Sequence, residues 1–167
     1  RAGFSSANAA INLGPVMTKA EGGCACGAVR YALRAKPIIV HACHCTDCQR
    51  ITGTAFVLNA WIERDQVELL SGEPVSFRFT DGGRNSCVYF CSKCGTYVWT
   101  DYRPGFWFVR VGTLDDPKQF KPDMHIFTRS KQPWLTLPEG VPAFEEYYDR
   151  DQVWPVESLA RFAAVVG

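Results

Sequence analysis

Short alternating or continuous apolar runs, separated by turn residues, make this chain read as β-strand from about Ala28. Residues 29–33 (VRYAL) alternate, and 37–43 (PIIVHAC) form a β-branched run. Residues 47–56 (DCQRITGTAF) hold a polar turn or one helical turn before a strand at 55–62 (AFVLNAWI). Runs at 67–72 and 75–80 flank a Gly-Glu-Pro turn, which predicts a hairpin. Strands are predicted at 86–90 and 96–102, on either side of a Cys-Ser-Lys-Cys-Gly turn. Residues 106–114 (FWFVRVGTL) are apolar enough for a central strand, and 124–130 form the last one. Only 155–166 has helical spacing, with Pro155 suited to the first helical position and Leu159, Phe162 and Val166 on one face. The predicted class is mainly β with a short C-terminal helix. Residues 1–16 lack periodicity and read as a vector-derived leader or floppy arm before a native start at Met17. The expected organisation is therefore 1–16 as arm, 17–150 as one domain and 151–167 as a helical extension.

Composition narrows the function classes. The chain has 167 residues, 47% hydrophobic and 21% charged, which suits one globular domain with a real core. Lys and Arg number 18 against 17 Asp and Glu, a net charge of +1. That balance and the absence of a basic run argue against nucleic acid as a partner. No apolar run approaches the length of a membrane-spanning helix. The oligomeric state is not legible, and the expected location is the cytoplasm.

Eight cysteines are the outlier. Seven fall in short-spaced groups: Cys24-x-Cys26, Cys43-x-Cys45-x-x-Cys48 and Cys91-x-x-Cys94. Thiols so close in sequence can share a metal, but would close only tiny, strained disulfide loops. The chain is long enough to fold without staples and reads as having no secretory leader. A redox C-x-x-C would need a βαβ context that is not evident. The spacing therefore predicts zinc. Seven ligands divide as four plus three, and three ligands with an open position is the arrangement for chemistry. The contiguous Cys43, Cys45 and Cys48 form the three-ligand group. The distant pairs Cys24/Cys26 and Cys91/Cys94 would join into a closed site that clamps an early hairpin to a late one. Gly95, after the second cysteine of the late pair, suits the positive φ of such a knuckle. Cys87 reads as a buried thiol.

The segments GGCACGAVRY (22–31), CHCTDCQRITGTAF (43–56), FCSKCGTYVW (90–99), VGTLDDP (111–117) and HIFTRSKQPW (125–134) occur in that order. Together they closely resemble the glutathione-dependent formaldehyde-activating enzyme (Gfa) family, over about residues 20–148. The resemblance implies a β-rich, Mss4-like fold of small antiparallel sheets around zinc. It implies a structural zinc on Cys24, Cys26, Cys91 and Cys94, and a second, more labile zinc at Cys43, Cys45 and Cys48, where thiol chemistry is assigned. It also implies formation of S-hydroxymethylglutathione from glutathione and formaldehyde, a carbon–sulfur lyase activity.

In such chemistry a thiolate adds to an aldehyde carbonyl. Three thiolate ligands weaken the Lewis acidity of zinc, which favours thiol capture over carbonyl polarisation. Arg50 is the cation best placed in sequence to grip a glutathione carboxylate, with Arg78 and Arg84 weaker candidates; a surface ion pair is its plain alternative. His41 shares a strand face with Cys43 and Cys45 if 41–45 is extended, and could lean on the metal or relay a proton, whereas His44 points away. An ordinary half-buried histidine is the plain alternative for His41, and packing for His125. Asp47 suits an Asx-type turn. Trp99, Phe106, Trp107 and Phe108 read as core. The competing function is a non-catalytic zinc module that binds a thiol ligand or a partner protein. An incompletely ligated zinc is what such a scaffold would not need.

Overall fold

The computed structural model describes residues 20–80 and 85–167. The arm expected over 1–16 lies outside them, as does Arg84. Ten strands and three helices follow in order: β1 (Ala20–Gly23), β2 (Arg30–Leu33), β3 (Ile39–Cys43), α1 (Thr46–Thr52), β4 (Val57–Glu63), β5 (Val67–Ser71), β6 (Val75–Arg78), β7 (Cys87–Phe90), β8 (Tyr97–Asp101), β9 (Phe106–Arg110), β10 (Met124–Ile126), α2 (Arg150–Val153) and α3 (Val156–Val166). The protein is mainly β with a C-terminal helix, as its pattern of apolar runs predicts.

The strands form two sheets. One has three strands in the order β1-β2-β5, and the other has seven in the order β10-β3-β4-β9-β8-β7-β6. All pairs are antiparallel except β10 with β3. The centre of the large sheet is buried on both faces, and period-2 alternation sends its side chains into two cores. Val40, Ala60, Ile62 and Val109 join Tyr31, Leu33 and Val67 of the small sheet. Ile39, Trp61, Phe106 and Phe108 face the other way and pack under Met124, Trp154 and Phe162. The small sheet thus covers one face, and the C-terminal segment covers the other.

Three expectations need correction. The hairpin predicted across Gly-Glu-Pro does not form: β5 pairs with β2, and β6 with β7 in the other sheet. A turn signal says that the chain bends, not which sheet edge it meets next. Strand β1 gave no β signal, because two of its four residues are glycine. Its place comes from contact: a Cβ on Gly22 would sit 2.6 Å from the Thr113 carbonyl oxygen. In α3, Ser158 and Phe162 are buried, but Val166 is 53% exposed at the fraying end.

Candidate functional site

The turn between β1 and β2 carries Cys24 and Cys26, and the turn between β7 and β8 carries Cys91 and Cys94. Their four sulfurs lie within 4.8 Å of one another. Cys26 Sγ is 3.5 Å from Cys24 Sγ and 3.8 Å from Cys91 Sγ. A tetrahedron with metal–sulfur bonds of about 2.3 Å has an edge of about 3.8 Å, so the set fits a zinc-sized ion. The backbone supports it: Val29 N–H points at Cys24 Sγ (3.2 Å), and Gly95 takes φ 72° to turn the late knuckle. A hydroxyl bond from Thr96, 3.2 Å from Cys94 Sγ, draws the Cys94 thiol down to about 5. All eight cysteines are free of disulfides.

The second set arises where a strand runs into a helix. Cys43 ends β3, Cys45 is the N-cap of α1, and Cys48 stands in its first turn. This sharp change of direction brings three sulfurs within 4.8 Å of one another, so they too could hold a metal ion. Their protons do not come off independently. Hydrogen bonds from Cys43 and then Cys48, helped by the Cys48 and Asp47 backbone amides, pull the Cys45 thiol down to about 2. The same contact with Cys45 pushes the Cys43 thiol strongly up.

This set opens into a cavity of about 840 Å³. Its lining includes Cys43, Cys45 and Cys48 together with His41, Asn59, Trp61 and Asp47. Arg103, Arg129, Tyr102, Tyr147, Phe108 and Phe127 are also among the lining residues. His41 is 1% exposed rather than half-buried, because Trp61, Tyr147 and Tyr148 enclose its ring. Burial drives it down to about 4, so it is neutral at pH 7. Its Nε2 lies 2.6 Å from the Tyr148 hydroxyl. His44 turns away into the interior, with Nε2 2.9 Å from His125 Nδ1. Arg50 is exposed in the last turn of α1 and is not among the residues lining the cavity. Arg78 sits elsewhere, beside Asp101 at 3.4 Å. Cys87 is a buried thiol, and Trp99 and Phe106 are core. Phe108 is shared between core and cavity wall.

The family profile of the glutathione-dependent formaldehyde-activating enzyme matches residues 19–130. That span holds both cysteine sets. The chain belongs to the glutathione-dependent formaldehyde-activating enzyme family. A Halomonas elongata protein named for glutathione-dependent formaldehyde activation is 25% identical over 161 residues, covering 88% of this chain and 96% of its own. A crystal structure of a Rhodobacter sphaeroides protein is similar at TM-score 0.46 and 23% identity, covering 59% of this chain and 93% of that one. Among the described residues, no helix is long and apolar enough to cross a membrane.

Sequence reasoning missed Arg103, Arg129, Tyr147 and Tyr148 as neighbours of the site. Arg129 lies within a motif segment, but nothing marks it apart from other surface cations. Tyr147 and Tyr148 lie in a stretch without periodicity, where no local signal says which aromatic turns inward.

Proposed function

We propose that the protein is a zinc-dependent enzyme of the carbon–sulfur lyase type. It acts on glutathione and formaldehyde to form S-hydroxymethylglutathione, or on a related thiol–aldehyde adduct. The observation that carries this reading is the contrast between the two cysteine sets. One is a four-sulfur cluster between two turns, while the other has three sulfurs and opens into the large cavity. The family membership points to the same substrates. Cys24, Cys26, Cys91 and Cys94 would hold one zinc, and Cys43, Cys45 and Cys48 the other. The second zinc would supply an open position that lowers the pKa of an incoming thiol.

The rest is work for this chain's own groups. The cavity volume falls in the range of about 300–1,000 Å³ typical of small-molecule sites. Arg103 offers a guanidinium group to a carboxylate of glutathione, and Arg129, which is paired with Glu146, would have to share its own. They take over the role that sequence position suggested for Arg50. Trp61, Phe108 and Tyr147 provide apolar wall that excludes water from the reacting carbon. In the reaction the thiolate sulfur bonds to the carbonyl carbon, and the carbonyl π pair moves to oxygen, which takes up a proton. His41, buried and neutral, is among the residues lining the same cavity. Binding glutathione alone would not accelerate anything, since equal stabilisation of ground and transition states raises no rate. Exchange spectroscopy on an equilibrated glutathione–formaldehyde mixture separates the cases. Wild-type protein should speed interconversion, and Cys45→Ser should not. No acceleration by wild-type protein, with glutathione still bound, refutes the enzyme and leaves a thiol-binding module.

A further inference from the structure

Asn59 stands in the middle of β4 and lines the cavity, although only 5% of its surface is exposed. Strand register places it. Cys43 pairs with Val57 across β3 and β4, and His41 with Asn59. Val57 and Trp61, two residues to either side, pack with Cys43 and Cys48 in one core. Period 2 therefore puts the Asn59 side chain on the face that carries Cys43, as its diagonal neighbour at about 7–8 Å. On its other side Asn59 pairs with Arg110 of β9, and the Arg110 guanidinium donates to Asn59 Oδ1.

That bond decides which end of the amide meets the cavity. The oxygen and nitrogen ends of a carboxamide have the same shape. A guanidinium has five N–H donors and no acceptor, so the end against Arg110 is the oxygen. The other end carries two N–H donors. Among the described residues this nitrogen meets no acceptor, and it is not one of the sealed, unpartnered polar atoms, so it opens to the cavity that Asn59 lines. The support behind it is fixed: Arg110 is 5% exposed, and its Cζ lies 4.1 Å from the centre of the Tyr97 ring. A charged donor on the amide oxygen also polarises the group and strengthens its N–H donors. The result is a donor that does not titrate, set in the sheet face beneath the three-cysteine set.

We propose that Asn59 is a catalytic residue whose side-chain N–H groups hydrogen-bond the aldehyde oxygen, and that Arg110 is the positioning residue that keeps them turned into the cavity. This assignment rests on the functional reading above. As the thiolate sulfur bonds to the carbonyl carbon, the π pair moves to oxygen, where Asn59 stabilises the charge without giving up a proton. The oxygen then takes the proton that the thiol released. Asn59→Asp keeps an acceptor for Arg110 and removes both donors. In the exchange assay it should lower kcat ~10²-fold, the loss of one oxyanion donor, with KM within about threefold. Arg110→Met should lower kcat roughly tenfold, and Arg110→Lys, which can still donate to Oδ1, by less. A kcat within about twofold of wild type in Asn59→Asp overturns the catalytic role, and the same result in Arg110→Met overturns the positioning role. Nitrogen-edited spectra of the side-chain amides follow the contact without turnover. The chain has four asparagines, and the Asn59 pair is assigned through its backbone. In metal-replete wild-type protein its protons should move downfield, as in a stronger hydrogen bond, on adding the glutathione–formaldehyde mixture, and not with glutathione alone. No downfield shift with the mixture, or the same shift with glutathione alone, overturns the contact even if no variant folds. A wild-type protein that accelerates nothing refutes the enzyme reading and the catalytic role with it, whereas acceleration with unmoved Asn59 signals refutes Asn59 alone.

Discussion

Replacing Cys91 and Cys45 by serine should have opposite consequences for the fold. Cys91 is 1% exposed and belongs to the cluster that ties one turn to another. Cys26 and Cys91 are 65 residues apart in sequence. Treating the metal clamp as a cross-link, closing a loop of that length is worth about 4 kcal/mol of chain entropy. Opening the clamp forfeits that amount, and for a chain of this size it corresponds to a fall in Tm of about 10–15 °C. Cys45 ties together only its immediate neighbours, so it closes no long loop. Its sulfur accepts the Cys48 backbone N–H at 3.3 Å as the N-cap of α1. Serine is among the best N-caps, so Cys45→Ser keeps this bond and should change stability by less than about 1 kcal/mol. Thermal and denaturant unfolding of the metal-replete proteins measures both, with metal content determined in parallel. The expected result is a Cys91→Ser protein that is strongly destabilised and a Cys45→Ser protein that is stable but lacks one metal equivalent. Equal destabilisation of the two, or a Cys91→Ser protein within about 1 kcal/mol of wild type, refutes this division of labour.

Graded chelation should remove one zinc equivalent while the far-ultraviolet spectrum stays unchanged. The second equivalent should leave only with unfolding, since four ligands from two distant turns couple metal binding to folding; simultaneous loss of both argues against two kinds of site. Acid should also destabilise the protein before its carboxylates titrate. Burial holds His41 and His44 at about 4 in the fold, against an ordinary value of 6.5. Between those values the unfolded chain binds more protons than the folded one, so stability falls as pH drops through that window and is fully present above it. Denaturant unfolding from pH 7 to 4 should show this slope, and His41→Gln should reduce it while the share of the other buried histidines remains.

Much of this molecule is legible in one dimension. Continuous β-branched and aromatic runs marked the strands at the sheet centre, because both of their faces are buried, whereas alternation records burial on one face only. The short-spaced cysteines marked both clusters, because a thiol pair one or two residues apart needs little help from the fold to meet one ion. The helix showed in its spacing and in Pro155. What lay beyond local sequence was every choice of partner. The Gly-Glu-Pro bend carries no record of which sheet receives β5 and which β6, and β1 became a strand only because β2 and the Thr113 backbone lay beside it. The same holds for the cavity. Arg50 is next to the cysteines in sequence, yet the helix turns it outward to solvent. Arg103, Arg129 and Tyr148 are remote in sequence, and packing of the C-terminal segment on Trp61 brings Tyr148 to His41. Local chemistry is fixed by neighbours along the chain, whereas the walls of a site are fixed by whichever distant side chains bury the most surface together, and only the tertiary structure decides that.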